Sequence, residues 1–518
     1  MNFKAARDIF CLRLKMRILF IYPNLHAQIG FNYGIAYLSA VLRQQGHVTG
    51  LLNVNESLGY PLDIQRIIHD VKAFSPDLVG FSVVTNQLQY ALRIARAVRG
   101  CTDAPFVCGG IHATVAPSEV LATGLFDYAC VGEGEEALAD LAHALERHED
   151  TSRIQNLWLR RDGTIVKNRV RPFISVENLP PKDYEIFDFQ KMIDAKDGWV
   201  GVMASRGCPF RCTYCFNHRL VNIYQEDTGL SPAGLNYIRH HPVDEVIGEL
   251  EYLLGRYKGI RMFIFDDDLF TFRRDYVHEF CQAYKERIPL PFVCNAHVKV
   301  FDHDIAGSLR RAGCRIVKFG LESGSERVRK EILNRPMSNA DIIRAFRAAH
   351  ESGLHTSAFV MIGLPGESIE DLFATIDLLA TIKPGRFRWS IFFPYAGTVA
   401  HELARQKGLI DFHKMQGLSN FTDESCLDFG EDHNLLIEKL AAAYPWFVNE
   451  RAGFPSSATY RELVSEIEGM DRRIWEETKG TIRSRDKEVS ARLTQAGKIH
   501  YAIKYNDFMG VRSDWSDP

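Results

Sequence analysis

The sequence predicts an α/β protein: a doubly wound, Rossmann-like N-terminal domain, a partial (β/α)6 barrel, and a small helical C-terminal region. Three observations predict it. Strand-like and helix-like runs alternate over 16–150 and again over 199–408, the pattern that builds parallel sheets with helical crossovers. The strand runs of the first block end in glycine loops, Gly109-Gly110 and Gly132-Glu133-Gly134. The second block offers six strand runs, fewer than a closed eightfold barrel needs.

Taken in order, residues 1–15 read as a short leader before a second possible start at Met16, because they lack an apolar core and a small-residue cleavage site. In the domain over 16–150, a buried strand over 17–22 precedes a helix over 33–45 that stops at Gly46. A strand over 78–84 and a helix over 87–99 follow, then strands over 106–108 and 128–131. Residues 151–198 read as a connector, with Asp162-Gly163 as a hairpin turn and Pro180-Pro181 at the exit. Barrel strands are expected at 199–205, 262–265, 292–298, 316–321, 356–361 and 388–393, separated by helices at 243–254, 302–312, 339–351 and 369–382. Residues 409–518 turn charged and helical, and the last dozen are expected to be loosely held.

Composition narrows the function. The 518 residues carry 62 Lys+Arg against 65 Asp+Glu, a net charge of −3, so no basic field exists to bind nucleic acid or an anionic membrane. Hydrophobic residues at 46% and charged residues at 25% suit a globular enzyme. No apolar run approaches the ~18 residues of a membrane span, and the expected compartment is the cytoplasm. Only three of the 11 cysteines cluster, which argues for metal binding rather than a disulfide framework.

Those three are Cys208, Cys212 and Cys215, spaced C-x3-C-x2-C directly after the first barrel strand. Three close thiolates can hold three irons of a [4Fe–4S] cluster and leave the fourth iron open for another ligand. Structural zinc, with His218 as the fourth ligand, is the alternative. The segment from Ser205 to Asn217, with Tyr214 before the third cysteine, resembles the radical S-adenosylmethionine (SAM) superfamily motif. The resemblance implies that the cysteines ligate the cluster while the SAM amino and carboxylate groups chelate the open iron.

Three later segments resemble the same family, in order. Asp266-Asp267-Asp268 ends the second strand, where Asp267 and Asp268 would recognise the methionyl amine. Gly320-Leu321-Glu322-Ser323-Gly324 ends the fourth, with Glu322 and Ser323 on the ribose side, and Gly363-Leu364-Pro365-Gly366-Glu367 ends the fifth, with Gly363 and Glu367 on the adenine side. Tyr395, after the sixth strand, is a candidate catalytic residue, and one of Asn295 and His297 is expected to face the site.

Residues 16–150 resemble the cobalamin-binding (B12-binding) domain that precedes the radical SAM core in one large subclass. The resemblance rests on Ser82 with Thr85, on Gly109, Gly110 and His112, and on Gly132, Glu133 and Gly134. Glycines admit a bulky corrin close to the backbone, and hydroxyls reach its amides and phosphate. The D-x-H-x-x-G motif of cobalamin mutases is altered to Asn24-Leu25-His26-Ala27-Gln28-Ile29-Gly30, so His26 is read as a loop residue rather than a cobalt ligand. Cys101, Cys108 and Cys130 lack the tight motif of a second cluster, which argues against a tRNA methylthiotransferase.

The cofactors implied are a [4Fe–4S] cluster, SAM and cobalamin. The implied activity is that of a cobalamin-dependent radical SAM methyltransferase. It would methylate an unactivated carbon of a small-molecule or natural-product substrate through a 5′-deoxyadenosyl radical and methylcobalamin. A reducing donor of flavodoxin or ferredoxin type is the implied partner. The alternative is a non-methylating radical reaction on the same architecture: cyclisation, ring contraction or rearrangement in natural-product, lipid or tetrapyrrole biosynthesis.

Overall fold

The computed structural model describes residues 15–418 and 424–515, so the expected leader, Lys15 apart, lies outside the described residues. The chain divides into two compact units. One holds residues up to 199 with 219–239 and 256–260, and the other holds 200–218, 240–255 and 261 onward. No helix among the described residues is long and apolar enough to cross a membrane.

In the first unit, β1 (Arg17–Pro23), β2 (Val48–Val54), β3 (Leu78–Ser82), β4 (Phe106–Gly109) and β5 (Tyr128–Cys130) pair in parallel, in the order β2-β1-β3-β4-β5. Helices α1 (Tyr33–Gln44), α2 (Ile64–Phe74), α3 (Leu88–Arg99) and α4 (Glu135–Glu146) supply the crossovers. Ala91, Ile94, Ala95 and Val98 recur at helical spacing along α3, and that stripe packs with Leu19, Ile21, Val79 and Phe81 in one core. Strand order reverses between β1 and β3, which opens a crevice at their carboxyl ends where such sheets bind ligands. The segment expected to be a connector carries β6 (Leu157–Arg161) and β7 (Thr164–Lys167), which extend the same sheet antiparallel. Their turn is Asp162-Gly163 with φ of 49° and 77°, the left-handed pair that a two-residue hairpin requires.

The second unit lays out β8 (Trp199–Val202), β9 (Met262–Phe265), β10 (Phe292–Ala296), β11 (Cys314–Glu322), β12 (His355–Ile362) and β13 (Arg386–Ile391) in consecutive order, the expected open partial barrel. Pairs from β9 to β13 are parallel. Helices α5 (Asn339–Glu351), α6 (Ile369–Ile382) and α7 (Glu431–Arg451) cover the outer face. Phe319 of β11 meets Phe346 of α5 with ring centroids 4.9 Å apart, and Trp389 of β13 stacks on Tyr444 of α7 at 5.5 Å. Since side chains alternate along a strand, Lys318, Gly320, Glu322, Arg386 and Arg388 point the other way, into the barrel.

The C-terminal region is helical as expected, with one correction. Of the last dozen residues, those described, 507–515, are not loose: β14 (Tyr501–Ile503) and β15 (Met509–Arg512) form a hairpin whose β15 pairs antiparallel with β13, and 516–518 lie outside the described residues. Asn449 of α7 locks it, donating from Nδ2 to the Tyr501 carbonyl at 2.8 Å and accepting from the Tyr501 N–H at 2.7 Å. The hairpin covers the otherwise open β13 edge. Its strands are three and four residues long, too short to stand out as periodic runs.

A tight spot tests this packing. A Cβ on Gly324 would lie 2.2 Å from the Ala374 carbonyl oxygen of α6. Gly324→Ala should therefore destabilise the protein by ~1–3 kcal/mol or more, read as a lower denaturant midpoint. Gly248→Ala, at a helix position with no atom within 4 Å of the new Cβ, should leave the midpoint unchanged or raise it.

Candidate active site

The cysteine loop hangs from the carboxyl end of β8. Gly207, at φ 94°, turns the chain into it, and the Phe216–Thr228 helix closes it. Cys208, Cys212 and Cys215 are all free thiols, and Cys212 is the most buried. Two other segments grip the loop. The Thr213 N–H donates to the Leu333 carbonyl at 3.0 Å and its hydroxyl to that of Ile332 at 2.6 Å, while Asn334 Nδ2 reaches the Arg211 carbonyl at 2.8 Å. From β10's end, His297 stacks on Phe210 with centroids 3.9 Å apart. Burial pushes the Cys208 thiol up to about 11 and the Cys215 thiol up to about 12, with the neighbouring thiols adding to each shift. Thiols held this way become ligands once a metal centre supplies positive charge. His218 hydrogen-bonds the Cys212 backbone.

Glu322 ends β11 at φ 65°, a left-handed conformation that costs a non-glycine residue about 1–3 kcal/mol. A register shift between Gly320 and Glu322 against β12 marks a bulge, the device that re-aims a side chain. Gly320 leaves the room: a Cβ there would sit 2.4 Å from Glu322 Oε1 and 3.2 Å from Arg335 Nη2. Arg335 donates from Nη2 to the Gly320 carbonyl at 2.7 Å and from Nη1 to Cys212 Sγ at 3.4 Å. Tyr214 hydrogen-bonds Glu322; burial raises the Glu322 pKa, with Arg335 and Tyr214 opposing the rise. The motif tyrosine, the acid at the β11 end and one cluster cysteine thus meet around Arg335, a residue sequence reasoning missed. Its one signal is its place three residues after the π-helical turn Val328–Ile332.

Several of the expected SAM residues also bond within the fold. The Asp267 carboxylate is fully buried and accepts from Ala204 N–H at 3.1 Å and from the Ser205 hydroxyl, tying β9 to β8. Asp268 is the exposed member, hydrogen-bonded to Asn217 and to the Gly207 backbone beside the cysteines. Ser323 is fully buried and accepts from Ser325 N–H at 3.2 Å. Asn295 Nδ2 donates to the Asp267 carbonyl at 2.7 Å. Glu367 Oε2 accepts from Gly363 N–H at 2.8 Å and Leu364 N–H at 3.1 Å, closing the Gly-Leu-Pro-Gly turn from within. Tyr395 stands edge-on to Phe393 at 5.1 Å, and burial pushes its phenol up to about 12.

In the first unit, Ser82, Thr85, Gly109 and Gly110 gather at the carboxyl ends of β3 and β4 with their surfaces at least partly open. Ser82 Oγ accepts from Asn32 Nδ2 at 3.1 Å. Buried Gln87 spans the switch point, accepting from Leu25 N–H and donating to the Leu25 carbonyl, each at 3.0 Å. The pattern gave no sign of that clamp. Gly110, at φ 91°, lets the β4 loop lie on Val83, whose backbone nitrogen and oxygen would be 2.8 Å from a Cβ. His112 is buried, with its Nδ1 3.4 Å from Thr85 Oγ1. His26, at φ 52°, pairs with Glu56 at 3.5 Å in an exposed loop.

The third expected cobalamin segment is engaged within its own unit. Tyr224 occupies the space over Gly132, where a Cβ would lie 2.4 Å from its hydroxyl, and that hydroxyl accepts from Glu133 N–H at 2.9 Å. Arg239 grips the Glu133 carboxylate through two nitrogens at 2.8 and 3.0 Å, and Gly134 caps α4. Ser82, Thr85, Gly109 and Gly110 keep open surface at the strand ends, with hydroxyls and backbone of the kind a corrin and its tail require, and the Gly132–Gly134 loop is packed by Tyr224 and Arg239.

Residues 202–379 match the family model of the radical SAM superfamily, and residues 26–142 match that of the B12 binding domain. The chain thus carries a B12 binding domain followed by a radical SAM superfamily domain. This radical SAM protein is 29% identical over 406 residues to an uncharacterised methyltransferase of Pyrococcus horikoshii, covering 76% of this chain and 84% of that one. It is 25% identical over 457 residues to the anaerobic magnesium-protoporphyrin IX monomethyl ester cyclase of Rubrivivax gelatinosus, covering 84% and 78%. Among solved structures, the radical SAM methyltransferase TsrM of Kitasatospora setae shares the fold with a TM-score of 0.61 at 21% identity, covering 76% of each chain. Two family assignments made from sequence, a [4Fe–4S] cluster with SAM and a cobalamin, thus stand.

Burial raises Glu367 to about 8, far above its ordinary 4.5. A carboxyl raised on folding stabilises the native state while protonated, and that stability is lost as pH rises through the folded pKa. The protein should lose on the order of 2 kcal/mol of stability between about pH 6 and 8 through this group. Thermal melts across that range should fall for the native chain and stay flatter for Glu367→Gln, whose amide oxygen can accept the same two backbone bonds.

Proposed function

We propose that this chain is a cobalamin-dependent radical SAM C-methyltransferase acting on an unactivated carbon of a small molecule. The observation that carries the reading is the occurrence, in one chain, of two equipped sites. One is a three-cysteine loop held against Tyr214, Glu322 and Arg335; the other is the set Ser82, Thr85, Gly109 and Gly110, gathered at the carboxyl ends of β3 and β4 beside the reversal of strand order. The methyltransferase relative, aligned over 76% of the chain, supports it.

When bound, the cluster and SAM supply radical initiation and cobalamin supplies methyl transfer; the protein contributes placement and exclusion of water. Cys208, Cys212 and Cys215 would hold the cluster, and Arg335 fixes Cys212 relative to the β11 end. Glu322, aimed by its bulge, would accept from the ribose hydroxyls of SAM. Asp268, the exposed acid beside the cysteines, would take the methionyl ammonium. The Gly363 turn, held closed by Glu367, would flank the adenine. Tyr395 keeps its Oη proton at neutral pH, so it would meet a substrate as a hydrogen-bond donor. A flavodoxin- or ferredoxin-type protein would deliver the electron.

The cyclase relative, aligned over 84% of the chain, favours one second reading, a radical reaction without methyl transfer. Product counting separates the two. Anaerobic incubation with dithionite, methyl-labelled SAM and the small-molecule fraction of a cell extract should give S-adenosylhomocysteine, 5′-deoxyadenosine and a labelled small molecule together. 5′-Deoxyadenosine alone, with no label transferred, would replace the first reading by the second.

A further inference from the structure

The end of the first unit opposite the crevice carries a side-chain cluster that the reading above leaves unused. His47 stands between α1 and β2, at the amino ends of the strands. The turn that ends α1 fixes its place. The N–H of Gly46, a residue at φ 90°, donates to the Arg43 carbonyl at 2.9 Å, and the His47 N–H donates to the Leu42 carbonyl at 3.0 Å. This pair of bonds is the Schellman motif, which closes a helix on a left-handed glycine. The last turn of α4 lies beside it. His143 and Glu146 are three residues apart there and share one helix face, and the His47 and His143 rings have centroids 5.5 Å apart. One donor atom from each of His47, His143 and Glu146 lies within 4.8 Å of the other two.

His47 is 5% exposed, and neither of its ring nitrogens has a hydrogen-bond partner among the described residues. A buried histidine that only packs keeps at least one nitrogen bonded, because an unpaired buried polar group costs about 1–3 kcal/mol. Burial lowers the His47 pKa, with His143 adding to the shift and Glu146 opposing it, so the ring is neutral at pH 7. Neutral imidazole is the form that ligates a metal. His143 and Glu146 are half-buried, which leaves an ion a path from solvent. The carboxyl ends of α1 and α4 both lie here, and their dipoles favour a cation. The ordinary alternative is a solvated His–Glu pair at a helix end. It accounts for His143 and Glu146 but leaves His47 unpaired.

We propose that His47, His143 and Glu146 form a metal site and that its ion is zinc. Two imidazoles disfavour calcium and magnesium, which take oxygen ligands. Three protein donors and a water complete the tetrahedron that zinc adopts. An ion ~2.1 Å from each donor would hold the donors ~3.4 Å apart, so the site closes by about an ångström on binding. Rotamer changes of the two half-buried side chains supply that closure. The ion would clip the α1–β2 turn to the end of α4 and so brace the domain. β2 runs seven residues to its carboxyl end, ~23 Å of strand, which keeps this ion clear of the cobalamin crevice.

The test is isothermal titration of zinc chloride into the full-length protein, reconstituted without oxygen so that iron fills the cysteine loop. One saturable zinc site is expected, with a Kd of about 1 μM or tighter. His143→Ala and Glu146→Gln should each weaken it roughly 100-fold or more, since even outer-shell partners of a metal are worth about 10–100-fold. Both positions are half-buried on a helix surface, so these variants decide the matter if His47→Gln fails to fold. Zinc should also raise the melting temperature of the native chain and leave that of His143→Ala unchanged. No saturable zinc site, or the same affinity in His143→Ala and Glu146→Gln as in the native chain, would overturn the proposal. Zinc held by the cysteine loop in place of a cluster would survive both variants and be lost from Cys208→Ser. Failure of this proposal and failure of the radical SAM reading are therefore distinguishable.

Discussion

The catalytic unit depends on one guanidinium. Arg335 reaches Cys212 Sγ with one nitrogen and the Gly320 carbonyl with another, while its charge faces Glu322 and Tyr214. A loop of three cysteines has no intrinsic shape, and a carboxylate at a strand end has many rotamers. Arg335 gives both one shared reference point. The surrounding structure keeps it there. The fully buried Arg329 holds the preceding turn by donating to the carbonyls of Ser323 and Met337 and to Asn339 Oδ1, at 2.5, 3.0 and 2.6 Å. Charge-assisted bonds of this kind are stronger and shorter than neutral ones, so the turn that presents Arg335 is rigid where the site requires it. The left-handed Glu322 and the clearance at Gly320 complete the arrangement.

The first unit solves a different problem. A parallel sheet in the order β2-β1-β3-β4-β5 has one reversal, and its crevice lies where the loops after β1 and β3 diverge. Divergent loops would wander, and Gln87 pins them with a reciprocal pair of hydrogen bonds across the gap. After β5, Tyr224, stacked on Phe173 at 3.7 Å, fills the glycine loop. Glycine therefore does two jobs in one domain: Gly109 and Gly110 shape an open crevice, and Gly132 admits a tyrosine.

Much of this was legible in the sequence. Repeated alternation gave both sheets, the Asp162-Gly163 turn gave its hairpin, and the C-x3-C-x2-C loop gave the radical SAM assignment. The loops ending in Glu322 and Glu367 entered through the family resemblance, and the structure places them at the ends of β11 and β12. What was not legible is which side chain a folded neighbour consumes. Asp267 and Asp268 are adjacent acids in one motif, yet only the fold turns the first into a brace between β8 and β9 and leaves the second exposed. Glu133 is equivalent: its partner Arg239 lies 106 residues later in the chain. Arg335 and Gln87 escaped notice because a single polar residue in a loop carries no periodic signal.

The central claim is that one chain houses an iron–sulfur site and a cobalamin site. Metal analysis tests it most directly: the protein is produced with hydroxocobalamin, reconstituted without oxygen, and its iron, sulfide, cobalt and zinc are counted per chain. The account predicts about four irons and about one cobalt. Iron without cobalt would contradict the crevice assignment in the first unit, and zinc persisting in place of iron would contradict the cysteine-loop assignment in the second.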